Sequence, residues 1–377
     1  MFWIGLMSGT SADAVDAALV RIPEAIAGLE LVEFQTFPLP DDVRERIHTA
    51  ARGKVSLRDL IELDSELGQL FGAAAVAVAE SAGVPLSEIE GVGSHGQTVA
   101  HYPEIGGTLQ LGSPAIIYAR TRIPVVADFR RSDLAVGGQG APLTPFFHRA
   151  CFPRPGEARA VLTIGGFTNV SFLPGDEAGS VVAFDPGPGN ALIDRAVRWA
   201  SGGAERYDRD GERATRGSVD PALLRNLLAD PYFALAPPKS TGHEYFSAEF
   251  FERARDAILA RGGEADDLVA TLTQLTVESV ADAARRFLPE LPERWFVYGG
   301  GVHNVAIRRG LENALAPASV ESTDAQGIPA DALEAMAFAA LGWCARRGIP
   351  SNVPSATGAR QSVVLGSATP PVPELRD

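Results

Sequence analysis

The chain has 377 residues, of which 46% are hydrophobic and 21% charged, with a formal net charge of −14. At roughly 100 to 200 residues per domain this predicts two domains, and it excludes a disordered chain, a fibre or a disulfide miniprotein. The acidic balance, with no run of five or more like charges, argues against nucleic acid as a partner, and two cysteines, Cys151 and Cys344, are too few for a disulfide framework.

MFWIGLMSGTSADAVD at the N-terminus has no basic n-region or small-residue cleavage site, and no apolar run reaches the about 18 residues that span a bilayer. The expectation is no membrane partner and a cytoplasmic location. Phe2 to Met7 reads as a strand, Ser8 to Ser11 as a turn, and Val15 to Ile22 as the returning strand. Helices are predicted over Asp41 to Arg52 and Leu57 to Ala82, the second stopped by Gly83, and a parallel strand over Gly91 to Ser94. The strand–turn–strand pattern then recurs: Ala160 to Ile164, a turn at Gly165 to Asn169, and Val170 to Leu173. Two related halves are implied. A strand at Val181 to Phe184, the loop DPGPGN and a helix over Ala191 to Ala200 follow, with a loop at Ser201 to Ser218. Further helices are predicted over Leu268 to Phe287, Asn304 to Leu315 and Ala330 to Arg347, and a strand over Phe296 to Tyr298 running into Gly299 to Gly301. The tail from Val372 is expected to fray. This alternation indicates an α/β fold whose hairpins make each sheet mixed.

Several motifs carry polar chemistry, and each has a purely structural alternative. The turn Met7 to Asp16 offers backbone N–H groups and hydroxyls for phosphate, with Asp13 as a candidate magnesium ligand; it also reads as an ordinary hairpin turn. Leu162 to Leu173 offers a second such turn, with Thr168 and Asn169 as donors. Tyr298 to Asn304, YGGGVHN, lies where glycines and a helix N-terminus admit an anionic ligand, yet neither GxGxxG nor GxxxxGK[ST] occurs. Asp185 ends a strand before two Pro-Gly steps, a place where α/β proteins put catalytic groups and also where an aspartate caps a turn. His95, Gln97, Arg130 and Asp133 are candidates for substrate contacts, or else a satisfied buried histidine and an ion pair. Glu334 falls beside the apolar surface of Met336, Phe338 and Leu341, and is either paired, water-facing or turned toward a ligand.

The segments IGLMSGTSADAVDAAL, SHGQTVAH, LQLGSP, VVADFRRSDLAVGGQGAPL, LTIGGFTN, FDPGPGN, YGGGVHN and EAMAFAALG occur in that order from Ile4 to Gly342, and the chain resembles the anhydro-N-acetylmuramic acid kinase family. The resemblance implies the actin-like, ribonuclease-H-like two-domain ATPase fold of sugar kinases, Hsp70 and actin, with an interdomain active-site cleft. Domains are expected at 1–127 with 355–377, and at 128–354. It further implies that ATP, water and 1,6-anhydro-N-acetylmuramic acid give N-acetylmuramic acid 6-phosphate and ADP. Asp185 would be the base and Glu334 a second acidic residue. ATP would be held by Gly9, Thr10, Ser11, Ala12, Asp13, Ala14, Val15 and Asp16, by Gly165, Gly166, Thr168 and Asn169, and by Gly299, Gly300, Gly301 and Asn304, with Asp13 near Mg2+. His95, Gln97, Thr98, Arg130, Asp133, Gly187 and Asn190 would face the sugar, and a homodimer is expected. The chain has Ala14 where the family commonly has Gly, and Pro186 where it commonly has Thr. The alternatives are a kinase for another 1,6-anhydro sugar such as levoglucosan and a non-catalytic ATP switch of the actin or Hsp70 type.

Overall fold

The structure, a computed structural model, describes residues 1–176, 179–242 and 245–370. The expected fraying from Val372 lies outside the described residues, as does the end of the expected 355–377 segment. Among the described residues no helix is long and apolar enough to cross a membrane. The chain forms two compact units, Met1–Cys151 with Ala332–Asp377, and Phe152–Asp331.

The first unit holds β1 (Phe2–Ser8), β2 (Ala14–Arg21), β3 (Glu30–Pro38), β4 (Ile89–Tyr102), β5 (Gly107–Leu111) and β6 (Val125–Ala127). The second holds β7 (Arg159–Ile164), β8 (Thr168–Leu173), β9 (Val182–Phe184), β10 (Arg294–Tyr298) and β11 (Ser319–Ser322), and β12 (Ser367–Thr369) returns to the first. In the first sheet the order is β12-β6-β4-β1-β2-β3, with β5 paired to β4, and in the second β11-β10-β7-β8-β9. In both, an antiparallel hairpin extends on one side to a third antiparallel strand and on the other to a parallel strand: β1-β2-β3 with β4, and β7-β8-β9 with β10. The repeat read from the two turns is therefore a repeat of sheet topology.

β1 is buried on both faces because helices cover both. Ile4 and Leu6 pack with Leu63, Leu67 and Phe71 of the helix Leu57–Ser81. Gly5 and Gly93 meet the helix Leu333–Arg346 so closely that a Cβ would stand 1.7 Å from the Ala335 carbonyl oxygen and 2.0 Å from that of Phe338. This contact explains the first unit's boundaries. The chain returns to the first sheet at Ala332, earlier than the 354/355 division expected from sequence, and the helices Phe129–Ala135 and Pro145–Cys151 stay with that unit. Two local readings also change. β4 runs on to Tyr102, past the expected end at Ser94, and the segment Ser201 to Ser218, read as a loop, contains the helix Glu212–Arg216.

Candidate active site

In the first unit the turn after β1 closes through the Ala12 N–H on the Gly9 carbonyl at 3.1 Å, with Ala12 at φ +54. Ser8 is buried and donates to the Ala14 carbonyl and to Gln97 Oε1, and Gln97 Nε2 donates to the Gly9 carbonyl at 3.1 Å. Gln97 thus holds the turn from the neighbouring strand rather than presenting a free amide, while Thr98 accepts a hydrogen bond from Gln110. Thr10 and Ser11 are exposed at the tip, whereas Ala12 and Val15 belong to the core. Asp13 pairs with Arg44 at 2.6 Å, and Asp16 accepts from the Thr36 hydroxyl at 2.7 Å.

Near the N-terminus of the helix Leu333–Arg346, Arg130, His95, Asp16 and Glu334 form an electrostatic group. His95 is 4% exposed and its ring stands 4.6 Å from that of Phe338. Arg130 donates to His95 Nε2 from Nε at 3.2 Å, and Nη2 lies 2.8 Å from the same nitrogen; Nη1 donates to the Gly140 carbonyl at 2.8 Å. Burial and the guanidinium hold the imidazole well below its usual value, which keeps it neutral as an acceptor. Burial also brings Arg130 down to about 10, against the pull of Glu334, so it stays cationic at neutral pH. Glu334 is pushed up to about 7, first by burial and then by the charge of Asp16, with Arg130 opposing. A carboxyl poised there exchanges protons readily at physiological pH.

Asp133 is fully buried and its carboxylate is occupied: it accepts from the Gly140 amide, from Asn352 Nδ2 and from the Thr357 hydroxyl, each at 2.8 Å. It ties the GGQGAP loop to the C-terminal segment, and a sugar contact from it has no room. This corrects its expected place among the substrate contacts.

In the second unit Asp185 follows β9 and is partly buried. Asn169 Nδ2 donates to Oδ1 at 2.8 Å and the Thr241 amide donates to Oδ2 at 2.9 Å. The Asp185 N–H donates to the Lys239 carbonyl, and the Tyr232 hydroxyl donates to the Asp185 carbonyl at 2.7 Å. Thr168 and Gly187 bond reciprocally, hydroxyl to carbonyl at 3.0 Å and amide to hydroxyl at 3.1 Å, so the hairpin and the DPGPGN loop are joined on both sides of Asp185. Asn190 Nδ2 donates to the Ile164 carbonyl. Asn304 caps the helix Val305–Ala314 by accepting from Ala306 and Ile307, which accounts for its side-chain oxygen within the chain.

The glycines separate in the same way. At Gly187 a Cβ would stand 2.8 Å from Phe233, at Gly301 2.2 Å from Ile164, and Gly299 has φ +82, so the chain itself requires all three. At Gly9, Gly165, Gly166 and Gly300 no positive φ occurs and a Cβ would meet nothing nearer than 3.8 Å. A backbone left bare without internal need is one that an outside group can approach closely.

The sequence profile described as "Anhydro-N-acetylmuramic acid kinase" matches residues 1–371. The chain belongs to the anhydro-N-acetylmuramic acid kinase family. Proteins of that name from Haemophilus influenzae and from Cyanothece sp. are 41% and 42% identical to it, over 98% and 97% of this chain and 98% of each relative. Among solved structures, the (R)-2-hydroxyglutaryl-CoA dehydratase component A of Acidaminococcus fermentans aligns over 91% of this chain and 98% of its own at 12% identity, with a TM-score of 0.49. As a member of the anhydro-N-acetylmuramic acid kinase family the chain is a phosphotransferase that uses ATP, and a non-catalytic switch is not favoured.

The two departures from the family pattern are readable. Ala14 opens β2 and is not among the residues at positive φ, so its methyl group causes no backbone strain; the strained position is Ala12. Pro186, directly after Asp185, is buried. Asp13, the expected magnesium ligand, is exposed and paired with Arg44. The segment Lys239 to Thr241, which no sequence motif marks, also supplies a donor to Asp185. Its signal was thin, since an amide N–H has no residue signature.

Proposed function

We propose that this kinase opens the internal acetal of 1,6-anhydro-N-acetylmuramic acid and phosphorylates it at the six position in one coupled reaction of peptidoglycan recycling. Water attacks the anomeric carbon, the bond from that carbon to the bridging oxygen breaks, and that oxygen takes the γ-phosphoryl group of ATP. The products are N-acetylmuramic acid 6-phosphate and ADP, and the proton lost by water goes to Asp185.

The observation that carries the reading is the state of the Asp185 carboxylate. Asn169 Nδ2 and the Thr241 amide hold its two oxygens in a fixed orientation, as a general base aligned on a water needs. A glycosidase needs a carboxylic acid to protonate its leaving oxygen. Here the phosphoryl group captures that oxygen, so one base suffices. Glu334 assists as a proton-exchanging carboxyl, and Arg130, aligned by His95, reads the lactyl carboxylate. Thr10 and Ser11, and the open backbone at Gly9, Gly165, Gly166 and Gly300, bind phosphate and nucleotide. Magnesium enters with ATP, held by phosphate oxygens and water rather than by Asp13. The enzyme acts in the cytoplasm as a homodimer. A substrate panel tests the reaction: ADP release with 1,6-anhydro-N-acetylmuramic acid, and none with free N-acetylmuramic acid, is expected. The reverse preference contradicts it and describes an ordinary sugar kinase, while equal turnover of levoglucosan removes the role given to Arg130.

A further inference from the structure

Arginine supplies nearly all the positive charge of this chain: of 33 basic residues only Lys54 and Lys239 are lysine. Lys239 is 8% exposed. Its ammonium lies 4.8 Å from the ring centre of Tyr232, 4.9 Å from that of Phe287 and 5.8 Å from that of Phe184, and it donates to the Tyr232 carbonyl at 3.4 Å. A compact ammonium suits such a box, because ring faces attract it by about 0.5 to 2 kcal/mol without needing one acceptor per proton. A guanidinium would bring five N–H donors into the same space.

The walls of the box are the supports of Asp185. Phe184 precedes it in β9, Tyr232 holds its carbonyl, and the Lys239 carbonyl receives its N–H. Two residues further on, the Thr241 amide holds Oδ2. Among the described residues, the charged groups acting on the ammonium are Arg286 and Asp282 of the helix Ala265–Phe287, and Asp185 itself. Burial and then Arg286 bring the ammonium down to about 8, while Asp282 and Asp185 hold it up, so it is cationic at neutral pH. Its positive charge attracts the Asp185 carboxylate.

We propose that Lys239 is a positioning residue for the general base: its ammonium, clamped by Phe184, Tyr232 and Phe287, fixes the segment whose Thr241 amide orients the Asp185 carboxylate, and places a positive charge beside that carboxylate. This inference rests on Asp185 being the base.

The test is Lys239→Met in the full chain, with kcat and both KM values followed across pH. Methionine keeps most of the packing and removes the charge. We expect kcat to fall about tenfold or more, the acid limb of the kcat profile to move to higher pH, and the KM for ATP to stay within about twofold. An acid limb that stays in place overturns the proposal, because a structural lysine would lower activity equally at every pH. If Lys239→Met does not fold, Tyr232→Phe removes only the hydroxyl on the Asp185 carbonyl. It should lower kcat several-fold with the KM for ATP unchanged, and full activity overturns the link between box and base. Asp185→Asn separates the two claims: wild-type turnover in that variant removes the base itself, whereas an inactive Asp185→Asn beside an unshifted Lys239→Met removes only this inference.

Discussion

Asp133 and Asp185 are both aspartates beside glycine-rich loops, and their surroundings assign them opposite work. Around Asp133 the amide of a nearby loop and two side chains of the C-terminal segment converge on a carboxylate with no exposure, which leaves an outside group no access to it. Around Asp185 the Asn169 side chain and the Thr241 amide hold the oxygens, and the residue stays partly exposed. A fully buried carboxylate joins chain segments, and an oriented one that stays partly exposed can take a proton. Residue type and neighbouring glycines do not distinguish them; burial does.

This contrast can be broken by experiment. Asp185→Asn keeps the shape and removes the base, so kcat should fall by at least about 10²-fold with nucleotide affinity unchanged, measured by steady-state kinetics and ATP titration. Asp133→Ala should do the reverse. It strands three buried donors and should destabilise the first unit by about 3 to 5 kcal/mol in denaturant unfolding, with kcat per folded molecule largely kept. Arg130→Ala removes a charge-assisted contact worth about 1.5 to 3 kcal/mol, so the KM for the muramic sugar should rise by about tenfold or more, while that for levoglucosan changes little. Glu334 carries a pH dependence of stability. Its carboxyl is raised from the ordinary value near 4.5 to about 7, so the folded state binds the extra proton in that window. Stability from this group is present below the ordinary value and lost as pH rises toward 7. Glu334→Gln should flatten that part of the stability–pH curve, and an unchanged slope assigns the titration elsewhere.

Much of this organisation was legible in sequence because it is written in short-range patterns. The two glycine turns marked the hairpins β1-β2 and β7-β8, and Gly83 and Asn304 marked helix ends. What stayed hidden depends on contacts between segments far apart in the chain. Gln97 reads as a ligand contact until Ser8 and Gly9 are seen on its amide, and Asp133 does so until Asn352 and Thr357 arrive from more than two hundred residues away. The return of the chain at Ala332 was hidden for the same reason, since the helix that follows is placed by Gly5 and Gly93 rather than by any local break. The ion pair of Asp13 with Arg44, thirty-one positions on, is hidden in the same way.

The most direct test of the account is turnover of 1,6-anhydro-N-acetylmuramic acid with ATP in oxygen-18 water, with the product analysed by mass spectrometry. Water attack assisted by Asp185 predicts one solvent oxygen at the anomeric position and none in the phosphate ester linkage. Solvent oxygen bridging phosphorus and the six position, or none in the sugar, would contradict it.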